Sequence, residues 1–459
     1  MTAIPSTIFR AYDIRGVVTD ALTPDNVREI GRAFGSECLA RGQKTAVVGR
    51  DGRTSGPALI EALSEGIAST GMNVIDVGMV PTPALYFATY HLETGTGVMV
   101  TGSHNPPEYN GLKMMVDGGA LFGDGITALY ERLQKGDLVT GNGERSETSI
   151  TDVYLDRICG DIKLKRPMKI AYDCGNGVAG VAATQLFERL GCESVALFTE
   201  VDGNFPNHHP DPAKEENLVD VIREVRDGNL EIGLAFDGDG DRVGVVDDKG
   251  QIIWPDRQMI LYAQDVLSRA PGAKIIYDVK CSKLLPEAIS KAGGDPEMYK
   301  TGHSFIKKRM KETGAQLGGE MSGHIFFKER WYGFDDALYS AGRLLEILSN
   351  DSRPASEIFG EIPNSVNTPE ITIKFDVDGE HHEFMKKFVA QSDFSGAKIT
   401  TIDGLRADYD DGWGLVRASN TTPSLVARFE ADSESAIEKI KASFSAAMKT
   451  VDKSIEIPF

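Results

Sequence analysis

Three stretches of the chain share one hydrophobic plan: a short apolar run, a polar or glycine turn, apolar positions at helical spacing, then glycine. The first runs Ala46-Val47-Val48, then Gly49-Arg50-Asp51-Gly52-Arg53, then Leu59, Leu63 and Ile67, and closes at Gly71. The second runs Ile170-Ala171-Tyr172, then Asp173-Cys174-Gly175-Asn176-Gly177, then Leu186, Phe187 and Leu190, and closes at Gly191. The third runs Ile275-Ile276-Tyr277, then Asp278-Val279-Lys280-Cys281-Ser282, then Leu284, Leu285, Ala288 and Ile289, and closes at Gly293. These spacings predict strands that each feed a helix, with glycine supplying the left-handed cap at the helix end. Strands alternating with single helices imply an α/β fold whose sheets are covered on both faces.

Each unit holds a second β-like run that leads into a polar loop. Gly97-Val98-Met99-Val100 precedes Ser103, Ile232-Gly233-Leu234-Ala235-Phe236 precedes Asp237, and Ala315-Gln316-Leu317 precedes the loop from Gly318 to His324. Ligands of open α/β sheets lie outside the carboxyl ends of strands, so the three loops are expected to converge on one cleft. The tail differs. Residues 368–375 alternate like a strand, 383–388 form a short amphipathic stretch, and Leu425-Val426-Ala427-Arg428-Phe429 is a second strand. Asp432 is placed to cap a last helix bearing Ile437, Ile440, Phe444 and Met448, which makes the tail a smaller α+β domain. Polar joints at 141–152, 250–252 and 364–369 divide the chain into expected domains 1–149, 150–251, 252–365 and 366–459.

The chain has 459 residues, beyond the roughly 250–300 at which one core stops growing, so several domains are required. A formal net charge of -19 argues against nucleic acid and anionic membranes as partners. An anionic substrate would need a local cluster of Arg and Lys. Five cysteines (Cys38, Cys159, Cys174, Cys192, Cys281) form no CxxC pair and read as reduced structural thiols. Arg10, Asp13 and Arg15 interrupt any signal-like apolar run, and no stretch approaches the ~20 apolar residues of a membrane helix. The expectation is a soluble cytoplasmic protein.

Chemistry concentrates in the loops. Asp237, Asp239 and Asp241 alternate with glycine directly after an apolar run, so three carboxylates can turn toward one ion, and an all-oxygen set suits Mg²⁺. An EF-hand is excluded, because Arg242 stands where Gly is needed and Asp248 where Glu is needed. Arg242 adds a cation beside that ion. Ser103 offers one hydroxyl at the tip of Thr101-Gly102-Ser103-His104-Asn105-Pro106, a loop that Pro106 and Pro107 stiffen. A hydroxyl near a divalent cation can carry a phosphoryl group, and His104 and Lys113 are candidates for moving protons or neutralising phosphate. Glu320, Ser322 and His324 on a glycine-bounded loop suit vicinal sugar hydroxyls. Arg417-Ala418-Ser419-Asn420-Thr421-Thr422 reads as an anion nest for phosphate. Lys280 and His303 are read at the starts of helices, where phosphate is favoured, and Tyr12 and Arg15 form a further arm.

Together these loops resemble the α-D-phosphohexomutase superfamily over essentially the whole chain, and within it the bacterial phosphomannomutase/phosphoglucomutase group. The resemblance implies three similar mixed α/β domains plus a smaller α+β C-terminal domain around a central cleft. It implies that Ser103 is a phosphoserine whose phosphate joins Asp237, Asp239 and Asp241 around Mg²⁺. Mannose and glucose 1-phosphates and 6-phosphates would interconvert through a 1,6-bisphosphate, with glucose 1,6-bisphosphate as activator. Ser103, His104, Lys113, Arg15 and Arg242 would be catalytic. Tyr12, Lys280, His303, Glu320, Met321, Ser322, Gly323, His324, Arg417, Ser419, Asn420 and Thr421 would bind substrate, in a monomer. The nearest rival is a phosphoglucosamine mutase, which usually has Gln where Met321 stands and Ala where Gly102 stands. A Mg²⁺-dependent phosphatase with Asp237 as nucleophile is a more distant one, and a sugar-phosphate binder without activity would lack a catalytic residue that this chain retains.

Overall fold

The computed structural model describes residues 4–377, 379–420 and 422–459. Its first three sheets follow one topology, and the reason is visible in the hydrophobic plan. In the first, strand Thr45–Arg50 is followed by helix Gly56–Ala68 and the parallel strand Asn73–Met79. The chain then crosses to the other side, where Gly97–Val100 pairs parallel with Thr45–Arg50 and turns back as the antiparallel Tyr109–Val116. Strands Lys169–Asp173, Glu193–Leu197, Ile232–Phe236 and Val243–Asp247 repeat that order in the second sheet. Strands Lys274–Asp278, Asp295–Tyr299, Leu317–Gly319 and Ile325–Phe327 repeat it in the third. The central strands carry apolar residues on both faces because helices cover both. Gly71, Gly191 and Gly293 have φ of +94°, +78° and +81°, as their place after a helix predicts.

This topology places the three polar loops alike. Residues 101–108, 237–242 and 320–324 each join the third strand of a sheet to its antiparallel fourth, at the carboxyl end of a parallel strand.

The fourth domain is an antiparallel sheet in which Ser424–Ala431 pairs with Gly412–Ala418, Val366–Asn367 and Ile371–Lys374. Helices Glu380–Gln391 and Glu434–Val451 pack on it through a core of Phe384, Phe388, Phe394, Phe429 and Phe444. Two expectations are corrected here. Ser433, not Asp432, caps the last helix: its side chain accepts from the Ala436 amide, while Asp432 pairs with Lys283 at 2.8 Å. Lys280 lies in the turn before helix Leu284–Lys291 rather than at its start, because the turn runs on through Lys283.

Candidate active site

The strand Gly97–Val100 delivers the chain to Ser103, a buried residue with the unusual φ of +50°. Its amide donates to Thr101 Oγ1 at 2.8 Å, and its Oγ lies 3.2 Å from Asp237 Oδ2 and 3.2 Å from His104 Nδ1. The two loops approach this closely because residue 238 is glycine: a Cβ there would stand 2.3 Å from the Ser103 carbonyl oxygen.

Asp237 Oδ1 accepts the backbone N–H groups of Gly240, Asp241 and Arg242 at 3.0, 3.1 and 3.2 Å, which leaves Oδ2 facing Ser103. Asp239 Oδ2 accepts from Thr82 Oγ1 at 2.5 Å and from Lys113 Nζ at 2.7 Å, and Asp241 Oδ2 accepts from the same Nζ at 2.5 Å. Asp239 Oδ1 and Asp241 Oδ1 are buried without a hydrogen-bond partner. One oxygen from each of the three carboxylates lies within 4.8 Å of the others. Asp241 Oδ1 faces His324 Nε2 at 3.4 Å, and oxygens without hydrogen-bond partners in an all-oxygen set fit a hard divalent cation, so this acidic cluster can hold a metal.

Burial, joined by the charges of Asp241 and Asp239, holds the Asp237 carboxyl well above the usual carboxylate range. Burial acts against protonated Lys113, but Asp239 and Asp241 outweigh it and keep this lysine charged far above its ordinary range. Lys113 thus bridges Asp239 and Asp241 as their shared ion-pair partner. His104 is pushed well below the usual histidine range by burial and by Arg242, Arg15 and Lys113, so a neutral imidazole faces the serine hydroxyl.

The third loop docks on the second. Arg242 and His324 form a backbone bridge, and Arg242 Nε donates to His324 Nε2 at 3.3 Å. Burial pushes His324 down to about 4, and its Nδ1 lies 2.8 Å from Ser322 Oγ. Glu320 accepts from the Gly302 amide, and burial with the neighbouring Asp278 pushes it up to about 8. The Met321 amide reaches Asp278 Oδ1 at 3.4 Å, and Gly323 takes the φ of +98° that the turn requires. His303 opens helix His303–Thr313 and stacks on His324 with centroids 5.5 Å apart. Lys280 donates to Glu370 at 2.6 Å.

In the fourth loop Arg417 Nε donates to Asp403 Oδ2 at 3.0 Å, and Ser419 Oγ accepts the Thr422 amide at 3.2 Å. Asn420 donates to the Tyr12 hydroxyl, which itself donates to the Thr301 carbonyl at 2.9 Å. Thr421 lies outside the described residues. Arg15 Nη1 donates to Asn105 Oδ1 of the serine loop at 2.7 Å, and the Thr301 amide donates to Asp403 Oδ2 at 3.0 Å. The four domains therefore meet around these loops in a closed circuit: the first loop touches the second, the second the third, Thr301 of the third domain joins Asp403 of the fourth, and the fourth loop meets the Tyr12 arm of the first domain.

Sequence reasoning left several residues around these loops unassigned: Asp51 and Arg53, an ion pair under the serine loop; Thr82 on Asp239; Asp335, which pairs with Lys307 at 2.8 Å and faces His303 Nδ1 at 3.4 Å; and Asp403 on Arg417. A signal existed for the first. In all three units an aspartate stands at the end of the first strand or directly after it, at 51, 173 and 278, and each one accepts the amide two residues on.

Four family models cover the chain in succession. Phosphoglucomutase/phosphomannomutase alpha/beta/alpha domain I matches residues 6–139, domain II 152–250, domain III 254–366 and the C-terminal domain 373–447. A phosphomannomutase/phosphoglucomutase of Pseudomonas aeruginosa is 56% identical over 456 residues, 99% of this chain and 98% of that one. A phosphoglucomutase of Neisseria gonorrhoeae is 52% identical over 453 residues, 98% of each. The crystal structure of a phosphoglucomutase/phosphomannomutase family protein from Burkholderia thailandensis superposes with a TM-score of 0.94 at 52% identity, covering 99% of this chain and 100% of that one.

Proposed function

This chain belongs to the phosphoglucomutase/phosphomannomutase family, and we propose a route by which its four loops carry out the reaction. It is a phosphohexomutase, an enzyme that interconverts hexose 1-phosphate and hexose 6-phosphate. In the proposed route Ser103 is phosphorylated, and its phosphoryl group passes to the free O6 or O1 of the sugar phosphate. The Ser103 Oγ–P bond breaks as the sugar O–P bond forms, and the proton of the sugar hydroxyl is lost to a neighbouring base. The resulting 1,6-bisphosphate turns around and returns its other phosphoryl group to Ser103.

The observation that carries this reading is the placement of Ser103 Oγ, 3.2 Å from Asp237 Oδ2, at the mouth of a cluster whose other two carboxylates hold oxygens without hydrogen-bond partners. Asp237, Asp239 and Asp241, joined by the phosphate of phospho-Ser103, would hold Mg²⁺, which neutralises the charge on the transferring oxygens. His104 is placed to move a proton at the serine oxygen, and Lys113, Arg15 and Arg242 supply positive charge around it. Glu320 and Ser322 would hold O3 and O4, which glucose and mannose share, so either sugar fits; Met321, Gly323 and His324 shape that contact. Arg417, Ser419, Asn420 and Thr421 would grip the non-reacting phosphate, with Lys280, His303 and Tyr12 closing round the sugar. Glucose 1,6-bisphosphate would activate by phosphorylating Ser103. One chain supplies every loop, in keeping with a monomer. The domains are read as 1–149, 150–251, 252–365 and 366–459, with strand Ile252–Ile253 still paired to Val243–Asp247 of the second sheet. None of the described helices is long and apolar enough to cross a membrane.

The test is intact mass before and after phosphatase treatment, paired with Ser103→Ala. The expected outcome is one phosphate on Ser103 and loss of nearly all turnover in the variant with substrate binding retained. Near-normal turnover in Ser103→Ala would sink the reading and make Asp237 the candidate nucleophile.

A further inference from the structure

We propose that Arg53 is a positioning residue for Ser103, holding the serine loop in the one shape that aims its hydroxyl at the carboxylate cluster. Its readout rests on the phosphoserine reading above. Arg53 lies in the turn after strand Thr45–Arg50 and is buried beneath the serine loop, with its guanidinium spent on that loop's carbonyls. All five N–H bonds of its guanidinium have an acceptor. Nη2 donates to the carbonyls of Ser103 at 2.8 Å and Asn105 at 2.6 Å, and Nη1 to those of Pro106 at 2.7 Å and Tyr109 at 3.0 Å. Nε donates to Asp51 Oδ2 at 3.3 Å. Four carbonyls drawn onto one planar cation set the path of the whole loop, a task that the fixed geometry of guanidinium suits and a point-like ammonium does not.

The amide of Ser103 traces to the same ion pair. It donates to Thr101 Oγ1, and that hydroxyl donates to Asp51 Oδ2 at 2.8 Å. Both backbone groups of Ser103 are thus fixed, one directly and one through Thr101, by Asp51 and Arg53. This matters because a φ of +50° costs a non-glycine residue about 1 kcal/mol or more, and the bonds on either side offset it. Gly102 completes the arrangement, since a Cβ there would stand 2.4 Å from Nε and Cζ of Arg53. The Phe205 ring of the second domain covers the guanidinium at 5.4 Å.

The test compares kcat, KM and phosphoserine content of full-length wild type, Arg53→Lys and Thr101→Val. Misplacing a reacting group by about 1 Å costs on the order of 10²-fold, so Arg53→Lys is expected to lower kcat by about that factor with KM within about twofold. Thr101→Val, which keeps shape and removes one hydroxyl, is expected to lower kcat by about tenfold, again with KM held. This split separates positioning from a general loss of folded protein, which would lower active-site concentration without altering turnover per folded molecule. Thr101→Val decides the matter should Arg53→Lys not fold. Turnover per folded molecule within twofold of wild type, or a change in KM alone, would overturn the proposal. Wild-type protein whose Ser103 never carries phosphate would instead overturn the phosphoserine reading and leave the kcat comparison as the test of Arg53.

Discussion

Asp239 shows how far a single side chain constrains the chemistry. One of its oxygens is committed to Thr82 and Lys113, and the other is buried and free of hydrogen bonds. Replacing it by asparagine removes a negative ligand while leaving the volume, so the fold should stand and Mg²⁺ should bind more weakly. The loss should be at least the roughly 10–100-fold that removal of an outer partner alone causes, with turnover falling in step. Calorimetric titration of Mg²⁺ reads it, and unchanged affinity with full activity in excess chelator would contradict the metal site. His208 gives a prediction in pH. Its Nε2 lies 2.9 Å from Asp173 Oδ2 and its Nδ1 3.0 Å from the His209 carbonyl, so only the doubly protonated ring satisfies both acceptors. Burial opposes that charge, but the Asp173 carboxylate outweighs it and raises the pKa above 6.5. A raised folded value means the stabilisation is complete below about 6.5 and disappears as pH rises through the folded pKa. Thermal midpoints measured across that window should fall in wild type and fall less in His208→Gln; parallel curves would refute the assignment.

At the scale of elements, the last helix Glu434–Val451 begins at Ser433, whose hydroxyl accepts the Ala436 amide at 3.3 Å. Ser433→Ala should cost about 1 kcal/mol of helix stability, seen as reduced hydrogen-exchange protection through the first turn. Asp432→Ala should spare that turn, because its carboxylate is spent on Lys283. The sequence reading chooses Asp432, but Ser433 beside it is as good a cap type, and the backbone angle that decides between them depends on how the preceding strand leaves the sheet. The same limit explains Lys280. Polar turn residues after a strand are legible, but the point at which the helix starts is set by packing against Pro255–Arg269. By contrast, the strands Gly97–Val100 and Ile232–Phe236 were legible as apolar runs ahead of polar loops, because a strand buried on both faces has few polar positions to blur it; the third, Leu317–Gly319, starts at the end of the expected run 315–317 and takes in two glycines that the sequence assigns to the loop.

For the whole molecule, the fourth domain is predicted to close the cleft. It is joined through residues 364–369 and seated on the third domain by Arg406 on the Val279 and Cys281 carbonyls, at 2.6 and 2.9 Å, and by Ser282 on Glu430 at 2.9 Å. Its loop touches the first domain where Asn420 meets Tyr12. A bidentate guanidinium–phosphate contact is worth roughly 1.5–3 kcal/mol, so Arg417→Ala should weaken the grip on substrate by about ten- to a hundredfold. Arg417→Lys should recover only part of it. Closure on binding should shrink the radius measured by small-angle scattering of wild type in the presence of substrate. Identical radii, with an unchanged KM in Arg417→Ala, would count against both the anchor and the hinge. The hydrophobic repeat along the chain determined that there are three like α/β units and a different tail, because burial of apolar faces is a local, periodic demand on sequence. The run of carboxylates and the lone serine determined which chemistry was possible, because donor type and charge belong to the residue itself. Only the tertiary structure decided which oxygens lack hydrogen-bond partners, that Lys113 bridges Asp239 and Asp241, and that Arg53 and Asp51 stand behind Ser103. Those facts depend on groups tens to hundreds of residues apart in the chain being brought within hydrogen-bond distance, and on the burial that then shifts their charge.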